Sequence, residues 1–143
     1  MNFPGRLTAW WIISASLLLV CIVQKSANAG TIASKRQKNV MISITSDSRK
    51  FVEGRNNFCV SFTDGPNAPS VPVTNVFIEF AQQVGKIREK PLTTVLKEDT
   101  VGRYCGEINL GVQYYHPAVY HVTIHYVDAS GKKWTCHMMV SID

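Results

Sequence analysis

Residues 119–142 read VYHVTIHYV-DASGKK-WTCHMMVSI, and the pattern of this stretch predicts a β-hairpin. Both ends of it alternate apolar and polar side chains with a period of two, which indicates β-strands that each bury one face. The middle suits a short hairpin loop with Gly131 in a left-handed conformation. Pairing Asp128 with Lys132 makes every inward residue of one strand meet an inward residue of the other. A shift of one residue would break this match, so the sequence predicts the register.

Similar short alternating segments recur along the rest of the chain. They are separated by turn sequences such as Asp64-Gly65-Pro66-Asn67, and no long segment after Gly30 has the 3.6-residue period of a helix. The pattern predicts an all-β protein, an immunoglobulin-like antiparallel β-sandwich of about seven strands. The predicted strands are 40–44, 57–63, 74–81, 90–97, 102–110, 119–127 and 134–142.

The N-terminal segment has the composition of an export signal. Arg6 precedes an uncharged run over residues 7–23, and small residues follow as far as Ala29. This order predicts a signal peptide over residues 1–29, with an uncleaved membrane anchor as the alternative. In either case the protein is expected to be exported, as a periplasmic or secreted protein. Residues 30–50 are then an N-terminal segment with a first strand, and residues 51–143 form the sandwich domain.

The charge of the exported part is small. Without residues 1–29 the chain has 13 Lys and Arg against 10 Asp and Glu, a net charge of +3. Its densest basic run, residues 34–38, is expected in a solvated N-terminal tail and has no interleaved aromatic residues. We therefore expect no nucleic-acid partner. The expected partner is a protein of the same compartment, membrane-associated proteins included.

Catalytic motifs are missing from the sequence. It contains no Gly-x-Ser-x-Gly elbow, no His-Glu-x-x-His helix and no glycine-rich phosphate loop. The carboxylates of Glu79, Glu107 and Asp128 are isolated in the pattern and are expected to be solvated. We therefore expect a protein that is not an enzyme.

The hairpin register places four candidate metal ligands on its outward face. His121 is set opposite Met139, and His137 lies diagonal to His121 and His125, about 5.5–8 Å apart between Cβ atoms. Imidazole and thioether donors together suit copper, whereas imidazole alone would also accept zinc. His121, His125, His137 and Met139 are therefore the candidate copper ligands, with His116 as an additional one. The alternative is that these are incidental surface residues.

Three cysteines follow the signal segment, which leaves one unpaired if a disulfide forms. By the alternation of their strands, Cys59 and Cys105 point outward and Cys136 points into the core. Because Cys59 and Cys105 both point outward, they can form a disulfide if their two strands are neighbours. Cys136 is then a buried free thiol. A Cys59–Cys136 disulfide that joins the two sheets remains open.

Several motifs between residues 51 and 127 occur in an order that resembles a known family. They are Gly54-Arg55-Asn56-Asn57-Phe58, Asp64-Gly65, Val73-Thr74-Asn75-Val76, Gly102-Arg103-Tyr104 and Tyr120-His121-Val122-Thr123-Ile124. The chain resembles the YtkA-like/FixH-like family of small exported or membrane-anchored bacterial domains. The resemblance implies an immunoglobulin-type sandwich and an association with copper delivery or cytochrome oxidase assembly.

Residues 119–142 also resemble the end of an ML lipid-binding domain, with a Tyr-rich strand, an Asp-x-x-Gly-Lys turn and a Trp-x-Cys strand. Members of that family are sandwiches whose sheets part to hold a lipid. This second resemblance implies a lipid carrier as the alternative function. A purely structural or protein-interaction sandwich is the third hypothesis.

Overall fold

The structure, a computed structural model, describes residues 30–84, 86–113 and 117–142. These residues form two antiparallel β-sheets around a shared core, without any helix, so the predicted β-sandwich is confirmed. The immunoglobulin-like subclass stays a prediction. The proposed signal or anchor segment (1–29) and His116 lie outside the described residues. Within the described part of the chain, no helix is long and apolar enough to cross a membrane.

Ten strands are described. In chain order they are β1 (Gly30–Gln37), β2 (Val40–Ser46), β3 (Arg55–Thr63), β4 (Thr74–Val84), β5 (Ile87–Arg88), β6 (Leu92–Val95), β7 (Lys97–Thr100), β8 (Arg103–Asn109), β9 (Ala118–Val127) and β10 (Lys133–Ile142). The first sheet has the order β1-β2-β3-β8-β7. The second has the order β10-β9-β4, and both β5 and β6 pair with β4 on the side away from β9.

The core contains the apolar residues that the alternation predicted to point inward, together with residues that it did not single out, such as Phe51 and Leu96. The rings of Phe51, Phe58 and Phe80 contact one another edge to face, with centroids 5.3–5.8 Å apart. Phe58 comes from the first sheet, Phe80 from the second, and Phe51 from the segment before β3. Burying each such side chain contributes about 1.5–3 kcal/mol relative to leaving it exposed. These rings are therefore a main contact between the two sheets.

The basic run at residues 34–38 is not a solvated tail, so that prediction was wrong. It lies in β1 and the turn after it, and β1 pairs with β2 over its whole length. Two of its side chains also reach the edge of the other sheet: Lys35 Nζ donates to the His137 carbonyl at 3.1 Å, and Gln37 Nε2 donates to the Thr135 carbonyl at 2.8 Å. Strand β1 thereby covers backbone carbonyls of the edge strand β10.

The single strand predicted over residues 90–97 is two strands in different sheets. Strand β6 pairs with β4, and β7 pairs with β8. Between them Leu96 is buried, and its amide donates to the Val76 carbonyl at 3.0 Å. The chain thus crosses from one sheet to the other at Leu96. This crossing, with β1 and the two-residue β5, explains why the strands outnumber the seven predicted.

The register predicted for the last hairpin is confirmed. Strands β9 and β10 pair without a slip from Lys133↔Val127 to Ile142↔Ala118. In the connecting loop the Asp128 amide donates to the Lys132 carbonyl at 2.9 Å, and Gly131 has a φ of +84°. This left-handed conformation favours glycine, as the loop sequence predicted.

Candidate functional site

The outward side chains of β4, β9 and β10 form a surface that we call the histidine face. It comprises Phe77, Glu79, His121, Thr123, His125, Thr135, His137 and Met139. The hairpin register sets His121 opposite Met139 and Thr123 opposite His137. The β4–β9 register adds Phe77 beside His125 and Glu79 beside Thr123. All four predicted ligands therefore lie on one face of the second sheet.

Three of the four predicted ligands surround a shallow depression. His121, His137 and Met139 line a volume of about 300 Å³, and the Met139 side chain is 66% exposed. His137 Nδ1 lies 3.1 Å from Thr123 Oγ1, which leaves Nε2 as its atom for another ligand. Together these residues offer two imidazoles and a thioether to solvent at one place.

The fourth predicted ligand, His125, is engaged elsewhere on the face. Its ring stacks on Phe77 with centroids 4.2 Å apart and planes 8° from parallel. Its Nε2 lies 2.9 Å from Glu79 Oε2, and its Nδ1 lies 3.5 Å from Thr135 Oγ1. Both nitrogens thus have protein partners, so His125 belongs with Glu79 rather than with the depression.

The grouping of donors limits what this face can bind. Within residues 30–84, 86–113 and 117–142, no group of three or more His, Cys, Asp or Glu side chains is arranged to hold a metal ion. The described residues therefore do not bring three imidazoles together around one position for a metal ion. The set that remains together contains His121, His137 and the thioether of Met139.

Glu79 is a residue of this face that sequence reasoning missed. The prediction of isolated, solvated carboxylates was wrong for it, because Glu79 bonds His125. Glu107 is exposed, as predicted, although its Oε1 also lies 3.1 Å from Arg55 Nε. The alternation of β4 already places Glu79 outward. However, no short hairpin connects β4 to β9, so the sequence held no signal for their register.

The first of the two predicted disulfide pairings, Cys59–Cys105, is confirmed. Cys59 and Cys105 stand opposite each other in the β3–β8 register and form a disulfide, so the Cys59–Cys136 alternative was wrong. Cys136 is a free, buried thiol. Burial raises the pKa of this thiol, an effect that the charge of Lys35 partly opposes. Cys136 therefore acts as a small hydrophobic residue of the core.

Comparison with known proteins leaves the family open. No known family model matches the chain, and no curated protein has significant sequence similarity to it. The resemblances to the YtkA-like/FixH-like family and to ML domains therefore stay predictions that rest on their motifs.

Proposed function

We propose that this protein is an exported, non-enzymatic module that binds copper(I) through His121, His137 and Met139. One observation carries the proposal: the Met139 side chain is 66% exposed, directly opposite His121 in the hairpin register, with His137 on the diagonal. A thioether in solvent gains little from packing, whereas it is a good ligand for a soft metal ion.

The donor set suits copper(I) better than the common divalent ions. Thioether and imidazole are soft or intermediate donors without charge, and the described lining of the depression contains no carboxylate. Calcium and magnesium, by contrast, require oxygen ligands. Lys35 Nζ, which lies 3.1 Å from the His137 carbonyl, adds a positive charge nearby. That charge repels a divalent ion more than a monovalent one.

The location of the set suits exchange of the ion with another protein. The depression is open to solvent on a sheet face, so a partner can approach it without unfolding of the chain. The disulfide is compatible with an oxidising, exported compartment. We therefore propose a copper-delivering or copper-accepting protein as the partner, soluble or membrane-associated.

The lipid-carrier alternative has no comparable observation in its favour. The space between the sheets contains closely packed aromatic side chains, such as Phe51 and Phe80 with centroids 5.3 Å apart. Extraction of the purified protein followed by mass spectrometry tests this alternative, which requires that a lipid be bound in stoichiometric amount.

The test of the copper proposal is a titration of the purified full chain with copper(I) in competition with a chromophoric chelator. We expect one ion per chain. The His121→Ala/His137→Ala double variant and Met139→Leu should each weaken binding by about tenfold or more.

The matched control is His125→Ala, which removes a histidine of the same face that bonds Glu79 at 2.9 Å. This variant should bind copper(I) as the unchanged protein does. Unchanged binding by the double variant would overturn the proposed site, and so would an equal loss of binding in His125→Ala.

A further inference from the structure

The disulfide lies in the middle of an open surface on the first sheet. Cys59 and Cys105 are half-buried and belong to one row of outward residues, with Thr45 of β2 on one side and Lys97 of β7 on the other. Both cysteines line an open depression of about 550 Å³. Among the described residues, the outward neighbours of the two cysteines are short or charged, and each cysteine keeps part of its surface exposed to solvent.

The β3–β8 pairing that the disulfide links has other support. The two strands pair over seven residue positions, from Arg55↔Asn109 to Ser61↔Arg103. Strand β2 flanks β3 on its other side, and β7 flanks β8. Opening the disulfide therefore leaves the hydrogen bonds between these strands in place, and exchange at the sulfur atoms does not require the sheet to separate.

A cation contacts one of the two sulfur atoms. Arg103 Nη2 donates to Cys59 Sγ at 3.5 Å, while Nη1 of the same guanidinium bonds Asp99 Oδ2 at 3.0 Å. A guanidinium that donates to sulfur favours the thiolate over the thiol, which improves that sulfur as a leaving group. Asp47 and Glu107 also line the depression and act in the opposite sense. Arg103, however, is the group that directly contacts Cys59.

We propose that the Cys59–Cys105 disulfide is a site of thiol–disulfide exchange with a dithiol partner. A thiolate of the partner attacks Cys105 Sγ, a mixed disulfide forms, and the electron pair of the broken S–S bond leaves on Cys59 Sγ beside Arg103. The second thiolate of the partner then attacks the partner's own sulfur in the mixed disulfide and releases the Cys105 thiolate. Protons from solvent convert the released thiolates to thiols. The protein disulfide is thus reduced to two thiols while the partner dithiol is oxidised to a disulfide.

This site is independent of the proposed copper function. It lies on the outer face of the first sheet, whereas the histidine face belongs to the second sheet. Measurements made in the presence of a metal chelator therefore test the exchange alone, and copper binding can fail without affecting it.

The first test follows opening of the disulfide in the folded full chain by dithiothreitol, with alkylation and peptide mass spectrometry that report on Cys59 and Cys105 separately. We expect a rate that does not change in urea below the unfolding transition, because the sulfur atoms react from the native state. A rate that rises steeply with urea would show that opening requires unfolding, and would overturn the proposal. With glutathione as the probe, the mixed disulfide should form on Cys105, and its formation on Cys59 would contradict the assigned leaving group.

The second test removes the cation. Arg103→Gln should slow opening by dithiothreitol by about threefold or more, since the leaving thiolate loses its stabilising donor. The matched control is Arg36→Gln, which removes a guanidinium of the first sheet that donates to the Asp64 carbonyl instead of to a sulfur atom. The control should open at the original rate. If the disulfide opened at the same rate in Arg103→Gln and in the control, Arg103 would not stabilise the leaving thiolate.

Discussion

The Asp128 carboxylate organises the loop that it begins. It accepts hydrogen bonds from the Ser130 amide at 2.9 Å, the Ser130 hydroxyl at 2.6 Å, the Lys132 amide at 3.0 Å and Trp134 Nε1 at 2.7 Å. All of these donors favour the ionised form. They lower the pKa of Asp128 to about 2, with the side-chain bonds from Ser130 and Trp134 as the largest causes. One residue thereby connects the turn to the start of β10.

This pKa predicts a pH dependence of stability. The pKa of Asp128 in the folded protein, about 2, lies below its ordinary pKa of 3.8. Asp128 therefore stabilises the fold fully at pH values above the ordinary pKa, and this stabilisation is lost as the pH falls through the folded-state pKa. In Asp128→Asn the loss of stability over this window should be smaller than in the unchanged protein, as measured by urea unfolding at a series of pH values. Asp47→Asn controls for the loss of one exposed carboxylate, and an unaltered slope in Asp128→Asn would contradict the prediction.

The cysteines show which properties of a single residue can be predicted from the sequence. The period of two along a strand is enough to orient Cys59 and Cys105 outward and Cys136 inward, because successive side chains of any strand point to opposite faces. Alternation does not say which strands are neighbours. The choice between the two disulfide pairings therefore depended on the pairing of β3 with β8.

Among the elements, β1 has a function in the fold that its exposed charges do not suggest. Gln37 donates to the Thr135 carbonyl at 2.8 Å and accepts from the hydroxyl of the buried Tyr126 at 3.0 Å. Through this one side chain, a strand of the first sheet is connected to both strands of the last hairpin.

We predict that Gln37→Ala lowers the free energy of unfolding by about 1–3 kcal/mol, because the buried Tyr126 hydroxyl is left without its acceptor. Equilibrium urea unfolding measures this change. The control is Lys35→Ala, which removes one exposed bond from the same strand and should change stability by less than about 0.5 kcal/mol. Equal effects of the two substitutions would show that β1 acts through its backbone alone.

Strand β1 was missed in the sequence for a physical reason. Its pairing with β2 shifts register between Thr31 and Ala33, and such an irregularity breaks the strict alternation on which strand prediction depends. The hairpin of β9 and β10 has no such shift, and its short loop determines the register from one end. Prediction therefore succeeded for the hairpin and failed for β1.

Among the residues that the structure describes, three buried tyrosines form hydrogen bonds through their hydroxyl groups to residues of other segments. The Tyr104 hydroxyl donates to the Val73 carbonyl, Tyr120 bonds Gln113, and Tyr126 bonds Gln37. Burial is the largest cause that raises the pKa of each phenol, and it raises that of Tyr126 to about 12. The Tyr104 and Tyr126 hydroxyls donate these bonds, so they connect structural elements only in their protonated form, whereas the Tyr120 oxygen also accepts from Gln113 Nε2 at 3.0 Å.

The sandwich should therefore lose stability at alkaline pH. The pKa of Tyr126 in the folded protein, about 12, exceeds its ordinary pKa of 10.0. Tyr126 therefore stabilises the fold fully at pH values below the ordinary pKa, and this stabilisation is lost as the pH rises through the folded-state pKa. Urea unfolding at increasing pH should show a falling midpoint. The fall should be less steep in Tyr126→Phe, and an identical slope in that variant would contradict this assignment.

From the sequence alone we could predict the β-sandwich class, the inward residues of the alternating strands and the register of the last hairpin. These depend on side-chain period and on neighbours within one short loop, so the information is local. The three-dimensional structure was needed to show that Glu79 bonds His125, that the chain crosses between the sheets at Leu96 and that Cys59 bonds Cys105 across 46 residues of chain. Each of these contacts joins segments that no short turn aligns. Their pairing results from the burial of both sheets against a common core, which local alternation does not encode.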